Sequence, residues 1–174
     1  MDIDTLFDGF SSKNQLDLKL NFKKFFTDSQ LGPKNAGLIT LACAESLNIK
    51  KLSEFASAHL KANGATDEEI SEAKDAASVM GLLNMYYRFR HMAGKEAYTK
   101  PAGLRMNVLA RPVVGKGPFE MMALAVSILN GCEMCIKNHE ESILKHEVTE
   151  DQVHDLARLA SIIKGLEVAF RQAT

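Results

Sequence analysis

The sequence predicts an all-α chain built from two copies of one helical unit. Three observations carry this: apolar residues recurring at helical spacing, start and stop signals that divide the chain into helix-length segments, and a pattern that returns at a constant offset of 83 positions, as from Thr66 to Thr149. No stretch shows the apolar/polar alternation of a half-buried strand. The 174 residues are 46% hydrophobic and 25% charged, which suits a single globular domain over residues 1–174 with a sizeable core.

Residues 12–27, SKNQLDLKLNFKKFFT, place Leu16, Leu20, Phe22 and Phe26 near helical spacing. Pro33 opens a second helix over about 34–47, and a third, about 50–62, stops at Asn63-Gly64. Thr66 followed by Asp67, Glu68 and Glu69 is a capping-box start for a fourth, running to about Arg90. Residues 91–117 contain Gly94, Pro101, Gly103, Pro112, Gly115 and Gly117 and form the main connector, with one short helix near 103–109. Pro118, at a first-turn position, begins a helix that ends at Asn130-Gly131. Another helix spans about 132–146, and a last one follows the cap Thr149-Glu150-Asp151-Gln152.

The repeat aligns TDEEISEAKDAASVMGLLNMYY (66–87) with TEDQVHDLARLASIIKGLEVAF (149–170) and LITLACAESL with MMALAVSILN, without a gap. Half-repeats of about 34–90 and 118–172 are expected. The comparison serves as an internal control. Glu120 falls opposite Gly37, and Cys132, Cys135 and His139 fall opposite Ile49, Leu52 and Ala56. One copy keeps the helices without a single reactive group, so the fold does not require those groups in the other.

A formal net charge of −1 gives no pull toward nucleic acid or an anionic membrane surface. The apolar runs are short and interrupted by charge, so no transmembrane helix is expected. The beginning, MDIDTLFDGF, has neither the basic nor the apolar region of a secretory signal. Three cysteines are too few for a disulfide scaffold. A cytoplasmic location is therefore expected, where a Cys-x-x-Cys is catalytic or metal-binding more often than structural.

The stretch NGCEMCIKNHE (130–140) holds that pair. Three chemistries compete for it: a redox-active dithiol, a zinc clip using Cys132, Cys135, His139 and Glu120, and plain apolar packing. Haem attachment is excluded, because Ile136 stands where a histidine would have to follow the second cysteine. With Asn130 as the expected N-cap, Cys132 falls in the first turn of the helix, where free N–H groups and the helix dipole favour a thiolate. Spacings of three and seven residues put Cys132, Cys135 and His139 on one face. His139 lies ~6 Å along the axis from Cys135 and ~10 Å from Cys132. It is thus the natural base for Cys135, with Cys132 as resolving partner. If the two helices fold back as a hairpin, Glu120, ten residues before Asn130, comes level with His139, nine residues after it. A carboxylate there would orient the imidazole and raise its basicity.

Other candidates read as structural. Cys43 falls opposite Val126 and belongs in the core, while His59, His91, His146 and His154 have no evident partners. VVGKGP (113–118) lacks the ending and the preceding strand of a phosphate loop. YYRFRH (86–91) reads as a helix end packed on a neighbouring element or subunit, and the eight methionines as fillers of helix interfaces.

The stretch FEMMALAVSILNGCEMCIKNHE, with Glu120, Cys132, Cys135 and His139, resembles the active-site motif of the alkylhydroperoxidase D proteins, within the carboxymuconolactone decarboxylase-like superfamily. YYRFRH, LRMN (104–107) and LDLKLN (16–21) extend the resemblance over nearly the whole chain. It implies an all-helical, internally duplicated subunit assembled as a homotrimer, with a thiol-dependent antioxidant role. Such proteins reduce a partner peroxiredoxin and act weakly on hydroperoxides directly. They hold no tightly bound cofactor and draw electrons from dihydrolipoamide on a lipoylated acyltransferase subunit of a 2-oxoacid dehydrogenase complex. By motif position Cys135 is the attacking thiol, Cys132 the resolving one, and His139 with Glu120 the proton relay. Some members carry a histidine between the cysteines. Met134 stands there in this chain, leaving proton transfer to His139 and Glu120. A non-redox enzyme of the same superfamily is the rival within the resemblance, though decarboxylation does not need a Cys-x-x-Cys.

Overall fold

The computed structural model describes residues 2–173. Its helices are α1 (Lys13–Lys24), α2 (Gly32–Ser46), α3 (Lys50–Ala62), α4 (Asp67–Ala93), α5 (Asn107–Ala110), α6 (Lys116–Leu129), α7 (Glu133–Ile143) and α8 (Glu150–Gln172), with short 3-10 turns at Thr5–Phe7 and Glu96–Tyr98. Among the described residues there is no strand, so the class is all-α as expected. None of these helices is long and apolar enough to cross a membrane.

Local chemistry accounts for the element ends. Ser12 and Gln15, Thr66 and Glu69, and Thr149 and Gln152 form reciprocal capping boxes at the starts of α1, α4 and α8. α1 stops at Lys24, short of the expected 27, because the next hydrogen bonds tighten to three-residue steps, such as Phe26 N–H to the Lys23 carbonyl. That tightening sets Phe26 against Phe22 and Phe55. α4 runs on to Ala93, where Gly94 at φ 60° ends it. The connector's helix is only Asn107–Ala110, the end of the expected 103–109, and α7 ends at Ile143 rather than near 146.

At the centre lie α2 and α6. Ala36–Ala44 and Met121–Ser127 are buried without interruption, which marks helices enclosed on every side rather than amphipathic surface helices. They pack on each other, with α3, α4, α7 and α8 around them and α1 against α8. Burial of each large side chain, Leu41, Met122 and Leu124 among them, is worth about 1.5–3 kcal/mol.

Several devices recur 83 positions apart. Asn48 and Gly131 both take a left-handed φ, 56° and 62°, and so do Gly64 and Glu147, at 77° and 61°. The buried Glu72 carboxylate accepts from the Val113 and Val114 N–H groups ahead of α6. Asp155 accepts from the Gln30 N–H ahead of α2.

Candidate active site

α6 and α7 form an antiparallel hairpin. At its open end, Gly117 lets the start of α6 approach the turn that follows α7, since a Cβ at Gly117 would lie 3.1 Å from the His146 carbonyl oxygen. At the closed end, the Asn130 N–H bonds the Val126 carbonyl, and Gly131 at φ 62° reverses the chain. The Cys132 N–H then donates to the Ser127 carbonyl, and the Cys132 carbonyl accepts from the Ile136 N–H.

This corrects one local expectation. Asn130 is the C-cap of α6, not the N-cap of α7; Cys132 occupies the N-cap position, and Cys135 the first turn. The left-handed Gly131 completes the first helix and leaves only one extended residue before the second. The Asn130 side chain instead donates to Asn84 Oδ1 at 2.9 Å.

Folded this way, the hairpin brings Glu120 and His139 together. His139 Nδ1 lies 2.6 Å from Glu120 Oε2, and both side chains are largely shielded from solvent. Burial pushes the Glu120 carboxyl upward. The hydrogen bond and charge of His139, a hydrogen bond from Ser142 and the field of Lys116 outweigh it and hold the group below its ordinary value. With Nδ1 engaged, Nε2 is the His139 nitrogen left for proton transfer. One turn back on the same helix, Cys135 is joined to Cys132 by a disulfide with a Cα–Cα separation of 5.2 Å. Cys132 is wholly buried, whereas Cys135 retains 5% exposure. The structure therefore gathers all four candidate residues on one hairpin as two bonded pairs.

Other groups stay apart from this site. Cys43 is fully buried, and burial raises its thiol far above the usual range. His59 has Nε2 within 3.0 Å of the Pro33 carbonyl and its ring edge-on to Phe26. Among the described residues no three His, Cys, Asp or Glu side chains converge closely enough to hold a metal ion. A surface cavity of about 500 Å³ lies at Leu47, Ile49, Lys50 and Phe170, and none of the four residues lines it.

The contacts behind the turn join α4 to the end of α6, two elements whose pairing the sequence does not display. Buried Asn84 on α4 donates through Nδ2 to Ser127 Oγ at 2.9 Å. Arg88 Nη1 donates to the Asn130 carbonyl at 2.6 Å. Within YYRFRH, Arg88 thus packs on a neighbouring element of its own chain, while Arg90 sits over the Tyr86 and Tyr87 rings and Phe89 is exposed. The available signal was one asparagine interrupting the apolar stripe of Ala76, Met80 and Leu83.

Residues 95–174 match the model of the carboxymuconolactone decarboxylase family. Relatives described as "Alkyl hydroperoxide reductase AhpD" align over most of both chains. The one from Anaeromyxobacter dehalogenans (strain 2CP-C) is 40% identical over 158 residues, covering 90% of this chain and 84% of the relative. Those from Beijerinckia indica and Brucella anthropi are 38% and 39% identical, covering 91% and 90% of this chain and 88% and 90% of theirs.

Proposed function

From the premise that this chain belongs to the AhpD family of the carboxymuconolactone decarboxylase superfamily, we propose that it is a thiol-dependent alkyl hydroperoxide reductase whose working groups are Cys132, Cys135, His139 and Glu120. The observation that carries the reading is the coexistence on one hairpin of the Cys132–Cys135 disulfide and the Glu120–His139 pair. Bonded cysteines at a helix start suit a dithiol that cycles, and a carboxylate-held imidazole one turn away suits its proton.

In the reduced protein, Glu120 fixes His139, whose Nε2 takes the Cys135 proton. The thiolate attacks the terminal oxygen of a hydroperoxide. An S–O bond forms, the O–O bond breaks, and the alkoxide leaves as the alcohol with the proton held by His139. The Cys132 thiol then displaces water from the Cys135 sulfenic acid and closes the disulfide. An external dithiol reopens it by two exchange steps, handing over two electrons and two protons and leaving as its own cyclic disulfide. The slight exposure of Cys135 against the complete burial of Cys132 favours Cys135 as the sulfur that meets both substrate and reductant.

Dihydrolipoamide on a lipoylated acyltransferase subunit is the proposed donor, and a peroxiredoxin disulfide the proposed alternative acceptor. Cys135 would open that disulfide through a mixed disulfide, and Cys132 would resolve it. The proposed setting is the cytoplasm. We also propose a homotrimer, and two half-repeats over about 34–90 and 118–172; the devices shared at an offset of 83 support the latter. A decarboxylase reading is favoured only by the description of the matched family, and it leaves the cysteine pair without a task. The test is turnover of an organic hydroperoxide with dihydrolipoamide. Wild type should turn over, and Cys135→Ser and Cys132→Ser should each lose at least about a hundredfold. Equal rates in all three proteins would overturn the proposal.

A further inference from the structure

Behind the Cys132 turn lies a buried polar cluster that the proposed chemistry does not use. Asn84, 2% exposed, donates to Ser127 Oγ and accepts from Asn130 Nδ2, both at 2.9 Å. Arg88, one turn along α4, closes on the Asn130 carbonyl. Ser127 also supplies the carbonyl that receives the Cys132 N–H. Asn84 thereby grips both residues that flank the reversal, one at each end of the last turn of α6.

The other half of the chain shows that the turn itself does not need this grip. There Asn48 takes the left-handed φ of Gly131, and the Ile49 N–H bonds the Ala44 carbonyl at 2.9 Å, as the Cys132 N–H bonds that of Ser127 at 3.2 Å. Yet the residues 83 positions from Ser127 and Asn130 are Ala44 and Leu47, which have no side-chain group to grip. The counterpart of Asn84 is Glu167, which pairs with Lys164 and Arg171 on its own helix. An apolar turn folds equally well, so the buried Asn84 and Ser127 side chains, with the half-buried Asn130, are an avoidable desolvation cost at the reactive turn. What distinguishes that turn is that it carries a cysteine whose sulfur must return to bonding distance of a second one.

We propose that Asn84 is a positioning residue: through Ser127 and Asn130 it fixes the 130–131 turn and so holds Cys132 in register to close the disulfide with Cys135. The inference rests on the reading that this pair cycles between dithiol and disulfide. Preorganisation of one thiol against another raises their effective concentration and favours the oxidised form. Releasing the grip lets Cys132 drift in the dithiol state and shifts the equilibrium toward it.

The readout is the redox equilibrium of the full-length protein against dithiothreitol, with the Cys132 and Cys135 thiols counted after acid quench and alkylation. In the exchange, dithiothreitol gives two electrons and two protons to the disulfide and becomes its own cyclic disulfide. Asn84→Ala should lower the constant for disulfide formation about fivefold, ~20 mV for a two-electron couple. Ser127→Ala and Asn130→Ala should shift it the same way. The Asn84→Ala/Asn130→Ala double variant should shift it little beyond Asn84→Ala alone, because the Asn130 side chain acts through its contact with Asn84. Asn84→Asp, which keeps an acceptor for Asn130 and one for the Ser127 hydroxyl, should recover part of the loss. Leu60→Ala, a core truncation in the other half, should lower thermal stability and leave the equilibrium within twofold of wild type. If Asn84→Ala does not fold, Ser127→Ala decides alone. Equilibria within twofold of wild type in every variant that folds would overturn the proposal, whatever their melting temperatures. Because no peroxide enters the measurement, a wild type that cycles its disulfide but reduces no hydroperoxide defeats the proposed function and leaves this test intact.

Discussion

Glu120 experiences opposing influences whose balance can be tested by pH. Burial favours its neutral form; His139, Ser142 and Lys116 together favour the ionised form and prevail, so its folded carboxyl lies below the ordinary 4.5. A carboxyl depressed in the folded state contributes stability that is complete above its unfolded value and is lost as pH falls through the folded one. The stability advantage of wild type over Glu120→Gln, read from urea midpoints, should thus be level above about pH 5 and shrink on acidification below it. An advantage unchanged down to the acid limit of folding would contradict the assignment. Glu120→Gln should also slow peroxide turnover about ten- to a hundredfold, by removing the carboxylate that orients the His139 ring through Nδ1. At Gly37, 83 positions before Glu120, no such pair could form. A Cβ added at Gly37 would come within 2.9 Å of the Leu60 side chain, so the place of the carboxylate is already filled by core.

The α6–α7 hairpin depends on Gly131 at one end and Gly117 at the other. Gly131→Ala should destabilise the protein by about 1 kcal/mol through its left-handed φ. Gly131→Asn should cost only a few tenths, as Asn48 adopts the same φ at the matching turn. Thermal melting distinguishes these; a Cβ at Gly131 meets nothing within 4 Å, so equal losses for both would mean that the left-handed φ does not set the cost. Helix starts were legible in the sequence because their signals are local. Thr66 and Thr149 reach their partners within three residues, and Asn130-Gly131 announces a reversal whichever cap Asn130 serves. Counting outward from that reversal was enough to bring Glu120 opposite His139. The Asn84–Asn130 contact was not legible, since it joins residues 46 positions apart on helices with no shared pattern. The early end of α7 was hidden too: past Ile143 the bonds tighten to three-residue steps, Lys145 N–H to the Ser142 carbonyl and His146 N–H to the Ile143 carbonyl, and the left-handed Glu147 that follows carries no turn signal.

Across the whole molecule, the second half of α4 leaves Leu82, Met85, Phe89 and Met92 exposed, Met92 to 78%. Their spacing of three, four and three residues forms one apolar stripe along the helix. A monomer gains nothing from such a stripe, whereas the proposed homotrimer would cover it. Sedimentation equilibrium should give three times the 19.2 kDa chain mass. Phe89→Glu should shift the protein toward single chains, because a carboxylate buried against an apolar face is costly. A wild-type protein that sediments as one chain at micromolar concentration would contradict the assembly. The stripe shares α4 with Asn84 and Arg88, so the proposed assembly surface and the grip on the Cys132 turn lie on one helix.

The central claim is that Cys135 attacks and Cys132 resolves, and single-turnover trapping tests it most directly. The reduced protein is mixed with one equivalent of an organic hydroperoxide, quenched, alkylated and mapped by mass spectrometry. Wild type should lose two thiols together and yield a peptide pair linked through Cys132 and Cys135, with Cys43 still alkylated. Cys132→Ser should trap a sulfenic acid on Cys135, and Cys135→Ser should leave Cys132 a free thiol. A sulfenic acid found on Cys132 in the Cys135→Ser protein, with Cys135 unmodified in the Cys132→Ser protein, would contradict the claim.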